Sequence, residues 1–431
     1  MIGEAYKWSC EQLLELLKVD CISASITTDF WTSRARHGYI GVTCSWISQD
    51  WTLHESLLAL RRVKYPHIGE IIKLLLDDIL GEWKITKKSL TLTTDNGSNI
   101  KKAGRLMADS ILHLPCAAHT LQLTVGKGLN LVKELVLRAK RLVDFFNVSP
   151  KQRERLQTAQ EFLGYSSIKH VIGDVSTRWN STYYAWERLI ELKRAIKFLP
   201  GQLKSDLDKD AQKDGEKLEK IMLSDEEWSL IENLLDLLSG FEEVTRLLSG
   251  AKYCTISLMY PAISAIIATI KPKSNQDNAS LDFELDFDDV VNDVPNDEEI
   301  TILDNIEVTI ADHEDEVEIE VIDLTSCTGR SRKKVNISGS MQTRNTISDI
   351  QNILYNSMFN YWKNTFKVGM IACLLDPRFK KLQFVRQETR NLIIQDLKFL
   401  YEDAQIEYNL NNIFGLVFKA YVYIVFNKYF I

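Results

Sequence analysis

A mixed α/β sheet interrupted by a large all-α insertion is the fold class that this sequence predicts, and three observations predict it. The first 120 residues alternate period-2, β-branched runs with 3.6-period stretches, the order of an α/β domain. From residue 121 to residue 273 the apolar residues fall almost wholly on helical stripes. Two of the β-branched runs end alike: Ile22-Ser23-Ala24-Ser25-Ile26-Thr27-Thr28 closes on Asp29, and Ser89-Leu90-Thr91-Leu92-Thr93-Thr94 closes on Asp95.

The elements follow in order. A short amphipathic helix around Cys10 to Leu17 precedes the Asp29 strand. Two further strands, Gly38 to Ile47 and Trp51 to Leu60, alternate apolar and polar residues around a Gln49-Asp50 hairpin turn. Ile68, Ile71, Ile72, Leu75 and Ile79 then give one buried face to a helix over about His67 to Trp83. After the Asp95 strand a helix starts near Ser98, where Ser and Asn before Ile100 are good amino-terminal caps. A short strand, Ile111 to Leu114, ends at Pro115. Three strands in hairpin order, a helix, a strand, a helix and a strand describe a sheet of the ribonuclease H type, in which the first and fourth strands are neighbours. That arrangement brings Asp29 and Asp95 together, and two carboxylates at strand ends can hold divalent ions for phosphodiester chemistry. The plainer reading stays open, because Asp-Asn-Gly is an ordinary turn and an aspartate is a common cap.

The domain plan is therefore 1–120 for the first part of the sheet domain and 121–273 for the helical insertion. Within the insertion Leu121 to Val136, Leu189 to Leu199 and Trp228 to Leu248 carry the clearest stripes. Residues 274–345 are acidic and poor in aromatics, and read as a mostly disordered insert. Helical patterning resumes over 346–412, at Ile347 to Phe366 and Gln387 to Asp403, as a return segment of the first domain. The last stretch, 413–431, is aromatic and aliphatic but is broken by Lys419 and Lys428. It reads as a core helix or unrelated coding sequence rather than a membrane anchor, so no membrane partner is expected.

Charge and cysteine usage narrow the function classes. The net charge of −7 hides a segment, Ser274 to Gly329, with 19 acidic and no basic residues; the remainder stands near +12. A basic body suits a polyanionic partner, with the acidic segment as a competing polyanion or a solvated linker. Seven cysteines, odd in number and widely spread, fit reduced thiols inside a cell, and no CxxC marks a zinc finger. Met1 to Ser9 lacks the features of a signal peptide.

Four strings now become specific as an ordered set: Thr28-Asp29-Phe30-Trp31-Thr32-Ser33, Thr94-Asp95-Asn96-Gly97-Ser98-Asn99, Cys116-Ala117-Ala118-His119-Thr120-Leu121 and Thr177-Arg178-Trp179-Asn180-Ser181-Thr182. Together they resemble the hAT-family transposases and the host proteins derived from them, including the BED-finger proteins. Leu375-Asp376-Pro377-Arg378-Phe379-Lys380 resembles the segment that follows the family's helical insertion. The resemblance implies that Asp29 and Asp95 are the first two catalytic carboxylates, ligands of two Mg²⁺ or Mn²⁺ ions, with DNA as the substrate. It implies an active-site support role for Cys116 and His119, which a zinc reading contests with too few ligands. It also implies DNA binding by Arg178 and Trp179, the indole stacking on a flipped base, against the alternative of a buried tryptophan at a helix start.

The sequence also departs from that family. No BED finger is found before the Asp29 strand, and the expected dimerisation region with its catalytic Glu is not recognised, since Glu388, Glu402 and Glu407 lack the family context. Two of three carboxylates predict impaired catalysis, and self-association is open without that region. Three functions remain in view: a truncated transposase-type nuclease and strand transferase, a domesticated non-catalytic transcriptional regulator, and an incomplete product without stable function. The nucleus is the expected compartment, and Arg330-Ser331-Arg332-Lys333-Lys334 is a candidate localisation signal.

Overall fold

The computed structural model describes residues 2–411 apart from 34, 49, 51, 176–178, 251–252, 254, 273–305, 310–317, 324–330, 337–345 and 364. In chain order the elements begin with α1 (Ile2–Val19), β1 (Ala24–Thr32), β2 (Gly38–Ile47), β3 (Leu53–Val63), α2 (Gly69–Glu82), β4 (Ser89–Thr94), α3 (Ser98–Leu106) and β5 (Leu112–Pro115). There follow α4 (Ala117–Leu129), α5 (Lys133–Val148), α6 (Pro150–Phe162), α7 (Trp179–Lys204), α8 (Lys209–Ile221), α9 (Asp225–Leu248) and α10 (Ile256–Ile270). The remainder comprises β6 (Ile306–Thr309), β7 (Glu318–Asp323), β8 (Ser331–Asn336), α11 (Thr346–Trp362), α12 (Phe366–Leu375) and α13 (Gln387–Asn411). The chain divides into two compact units, one of Met1–Thr120, Val244–Ala265 and Tyr361–Ile431, the other of Leu121–Glu243 and Ile266–Asn360.

The first unit holds a five-stranded sheet in the order β3-β2-β1-β4-β5. β1 to β3 pair antiparallel, and β1, β4 and β5 run parallel. This is the ribonuclease H-like order, with β1 and β4 adjacent. Along β1 the buried Ala24, Ile26 and Thr28 alternate with Ser25, Thr27 and Asp29, so the strand has one apolar and one polar face. The apolar face packs under α1, α2 and α3, in a core that includes Leu17, Ile26, Ile40, Ile72, Leu76 and Leu92. Burying each such aliphatic side chain stabilises the fold by about 1.5–3 kcal/mol.

The same unit contains the turn after α12. Asp376 is 3% exposed, accepts from Ser257 Oγ at 2.7 Å and pairs with Arg378 Nη2 at 2.6 Å. Tyr260 of α10 meets Phe366 of α12 edge to face at 5.1 Å. The Leu375–Lys380 motif is therefore a staple that ties the end of α12 back to α10.

The second unit is helical apart from a small sheet. The buried stripe of α7, Thr182, Trp186, Leu189, Leu192, Ile196 and Leu199, follows the 3.6-residue period. Ion pairs join neighbours: Arg155 of α6 to Asp214 of α8 at 2.6 Å, and Arg138 of α5 to Glu227 of α9 at 2.8 Å.

The structure differs from the sequence reading at several points. α1 starts at Ile2 rather than near Cys10, and β3 continues to Val63, where Arg61, Arg62 and Val63 pair with Ile40, Tyr39 and Gly38 of β2. The expected helix from Ile347 to Phe366 is two helices, α11 and α12. Within 274–345, read as mostly disordered, β6, β7 and β8 form an antiparallel sheet in which acidic β7 pairs with basic β8, Glu320 opposite Lys334. The rest of that segment and the reading of 413–431 lie outside the described residues.

Candidate active site

The polar face of the first sheet is built in rungs. Ser45, Ser25 and Thr91 stand side by side across β2, β1 and β4, and Thr43, Thr27 and Thr93 form the next rung. Ser25 and Thr91 hydrogen-bond through their hydroxyls. One rung further, Gly41 faces Asp29. On β4 the last paired residue is Thr94, opposite Thr28, and Asp95 is the residue after it. Asp29 and Asp95 thus leave neighbouring parallel strands at the same level, where strands lie about 4.8 Å apart. Asp29 is exposed and Asp95 half-buried. Over the hydroxyl rungs opens a cavity of about 320 Å³, lined in part by Ser25, Thr27, Thr91, Thr93, Tyr253 and Met259.

The turn after β4 is held from several sides. Gly97 N–H donates to Asp95 Oδ1 at 3.0 Å, the local turn that Asp-Asn-Gly predicts. Cys116, the residue after β5, donates its N–H to Thr94 O at 2.7 Å. Asn96 Nδ2 donates to Thr120 Oγ1 at 3.0 Å, and Thr120 Oγ1 donates to Cys116 O at 2.9 Å. Cys116 therefore works through its backbone, linking the start of α4 to the Asp95 turn. His119 lies half-buried in the first turn of that helix. Among the described residues no group of three His, Cys, Asp or Glu side chains is placed to hold a metal ion.

The chain matches known proteins over these same elements. Residues 27–118 match the family model of the ZBED1 RNase-like domain, and residues 114–237 that of the ZBED1 RNase-like helical domain. Over 278 residues the chain is 30% identical to the putative AC transposase of Zea mays, covering 62% of this chain and 33% of that protein. Over these elements the chain is similar to the hAT transposases and the proteins derived from them. It is 28% identical over 291 residues to the putative transcriptional regulator tpeD of Talaromyces stipitatus, with 58% of this chain and 32% of the relative covered. It is 23% identical over 215 residues to the zinc finger BED domain-containing protein RICESLEEPER 2 of Oryza sativa subsp. japonica, covering 46% and 30%. The chain spans about a third of the length of these curated relatives.

In this hAT-related chain the second motif tryptophan is covered. Trp179, the first residue of α7, is 6% exposed and meets Tyr183 edge to face at 6.2 Å. The free π face expected of it is not offered in this conformation, because α7 turns the indole inward with Thr182 and Trp186. Arg178 lies outside the described residues. Sequence reasoning missed His113, whose Nε2 lies 2.9 Å from Thr94 Oγ1 beside the Asp95 turn. Its only signal was its position in a short strand, and the contact depends on the pairing of His113 with Leu92.

Proposed function

We propose that this transposase-derived chain binds DNA and that Asp29 and Asp95 hold Mg²⁺ or Mn²⁺ at a phosphodiester. The observation that carries the reading is the Thr28–Thr94 pairing, after which Asp29 and Asp95 follow at the same level of neighbouring parallel strands. Their hard oxygen donors suit these ions, and Mg²⁺ is commonly held by one or two carboxylates completed by substrate phosphate and water. When bound, such ions activate a water or a 3′-hydroxyl and stabilise the departing 3′-oxygen. Asp29, exposed, is free to take a ligand position. The Gly97 N–H orients Asp95 and leaves its second oxygen for a metal. Cys116, Asn96 and Thr120 keep that turn in place, and His119 stands on the same helix start.

Among the described residues no third carboxylate joins Asp29 and Asp95, and a site of these two alone would bind metal weakly and support only slow cleavage and strand transfer. The same observation favours a second reading, a nuclear DNA-binding regulator without catalysis; one relative, tpeD, is named a putative transcriptional regulator. The deciding experiment is Mn²⁺-dependent nicking of duplex and hairpin DNA, beside an Asp29→Asn, Asp95→Asn control. Nicking that disappears in the control supports the enzyme. DNA binding without nicking supports the regulator, and neither binding nor nicking by folded protein defeats both.

A further inference from the structure

We infer that β7 is a docking strand for a small ubiquitin-like modifier of the SUMO class, kept latent by its pairing with β8. The strand lies far in sequence from Asp29, Asp95 and the other residues of the DNA reading, and either reading can fail alone.

β7 reads Glu318-Ile319-Glu320-Val321-Ile322-Asp323, three branched aliphatics within four residues, with a carboxylate before, among and after them. In the sequence, Glu314-Asp315-Glu316 places three more carboxylates just ahead of it. Branched aliphatics favour an extended backbone, while carboxylates set opposite carboxylates disfavour pairing with a like strand. Such a strand suits a partner of the opposite kind. That partner has an open strand edge to take main-chain hydrogen bonds, an apolar groove beside the edge, and lysine or arginine at the rim. SUMO offers an edge with a basic rim of this kind, and ubiquitin, of the same fold, does not.

β8 is an internal stand-in for that partner. It reads Ser331-Arg332-Lys333-Lys334-Val335-Asn336 and pairs antiparallel with all six residues of β7, Glu320 opposite Lys334 and Ile322 opposite Arg332. All three cations of the β6-β7-β8 sheet lie in β8, whereas β6 and β7 bring four carboxylates, Glu307, Glu318, Glu320 and Asp323. β8 therefore answers the backbone and the charge of β7, but with one aliphatic residue, Val335, it offers little apolar surface. A sheet of three such short strands is marginal without an apolar face to bury. A partner with both the basic rim and the apolar groove displaces β8, while β6 keeps the other edge of β7. That displacement lowers the apparent affinity, so β8 acts as a brake on the docking strand.

The test measures binding of fluorescently labelled, unconjugated SUMO to the purified full chain by anisotropy, with ubiquitin as the control. Saturable binding of SUMO and none of ubiquitin is expected, weakening as salt is raised because charge contributes. Val321→Ala with Ile322→Ala should weaken it at least about tenfold, the order of the apolar contact removed. Glu318→Gln with Glu320→Gln keeps the aliphatics and should flatten the salt dependence, an independent readout should the alanine pair disturb the sheet. Lys334→Glu sets like charges opposite each other at Glu320 and should tighten binding about threefold by releasing β8. SUMO binding by Lys334→Glu alone would mean a stronger brake and would support the docking strand. No binding by either the wild type or Lys334→Glu, equal binding of ubiquitin, undiminished binding by the alanine pair, or an unchanged salt dependence in the glutamine pair overturns it. Binding that Lys334→Glu leaves unchanged overturns the brake. Self-association of Lys334→Glu in place of SUMO binding would give the released edge to a second copy of this chain and overturn the assignment to a modifier.

Discussion

His113 Nε2 and Thr94 Oγ1 lie 2.9 Å apart, one residue before Asp95. Thr94 has one hydroxyl proton and gives it to Asp95 O at 2.7 Å, so the ring must be the donor. The neutral tautomer protonated at Nε2 meets that need, and the surroundings favour it. Burial, then Lys101 and Arg105, push the His113 pKa below its ordinary value. A Cβ on Gly104 would lie 2.6 Å from the ring, so only glycine lets α3 pass so close.

A pH dependence of stability follows. In the unfolded chain the imidazole titrates near its ordinary value of about 6.5, and in the folded chain it titrates lower. As pH falls through about 6.5 the unfolded state takes up the proton first, so stability is lost until the folded ring is itself protonated. Thermal unfolding followed from about pH 7.5 down to about pH 5 should show Tm falling, and His113→Gln should flatten that part of the profile. An identical slope in the variant would show that other groups set it.

Asp376 offers the second test. Burial by itself raises its pKa, but the hydrogen bonds and charge of Arg378 and the Ser257 hydroxyl outweigh this and hold it below the usual carboxylate range. That stability is present above the unfolded value of about 3.9 and is lost as pH falls through the depressed folded value. Asp376→Asn keeps the shape but not the charge-assisted bonds, and an expected loss of about 2 kcal/mol should appear in urea unfolding at neutral pH. A loss below about 0.5 kcal/mol would show that the staple is dispensable.

The parts legible in the sequence are those fixed by local period. β2 runs over the residues that its alternation marks, and the β-branched runs before Asp29 and Asp95 are strands because their side chains suit a pleated, half-buried surface. What stayed hidden depends on partners far along the chain. The stacking of Trp31 on Tyr39 exists only through the register of β1 with β2, and the His113 contact only through that of β4 with β5. Acidic composition masks β7, in which Glu318 and Glu320 alternate with Ile319 and Val321 and which pairs with the basic strand β8.

Glu227 joins two devices in one side chain. It closes a capping box at the start of α9, where Ser224 N–H donates to Glu227 Oε2 at 2.8 Å and Glu227 N–H donates to Ser224 Oγ at 3.2 Å. Its other oxygen, Oε1, pairs with Arg138 at 2.8 Å, and the residue is 1% exposed. Glu227→Ala removes both at once and should cost about 3–5 kcal/mol, as expected when one partner of a buried pair is deleted. Glu227→Gln keeps the acceptor for the cap and should cost less than half as much. Equal costs in the two variants would assign the whole effect to the lost charge.

Trp179 separates packing from recognition. Its indole is 6% exposed, and Nε1 has no hydrogen-bond partner among the described residues. Truncation to Ala should therefore cost about 3–5 kcal/mol as a large cavity opens in the helical unit. Trp179→Phe should cost much less, because it keeps most of the apolar volume and removes a buried donor that is otherwise unsatisfied. On hairpin and plain duplex DNA, Trp179→Leu, which removes the π face, should leave the ratio of the two affinities unchanged. A selective loss on the hairpin with Trp179→Leu would mean that α7 opens to present this indole to a base.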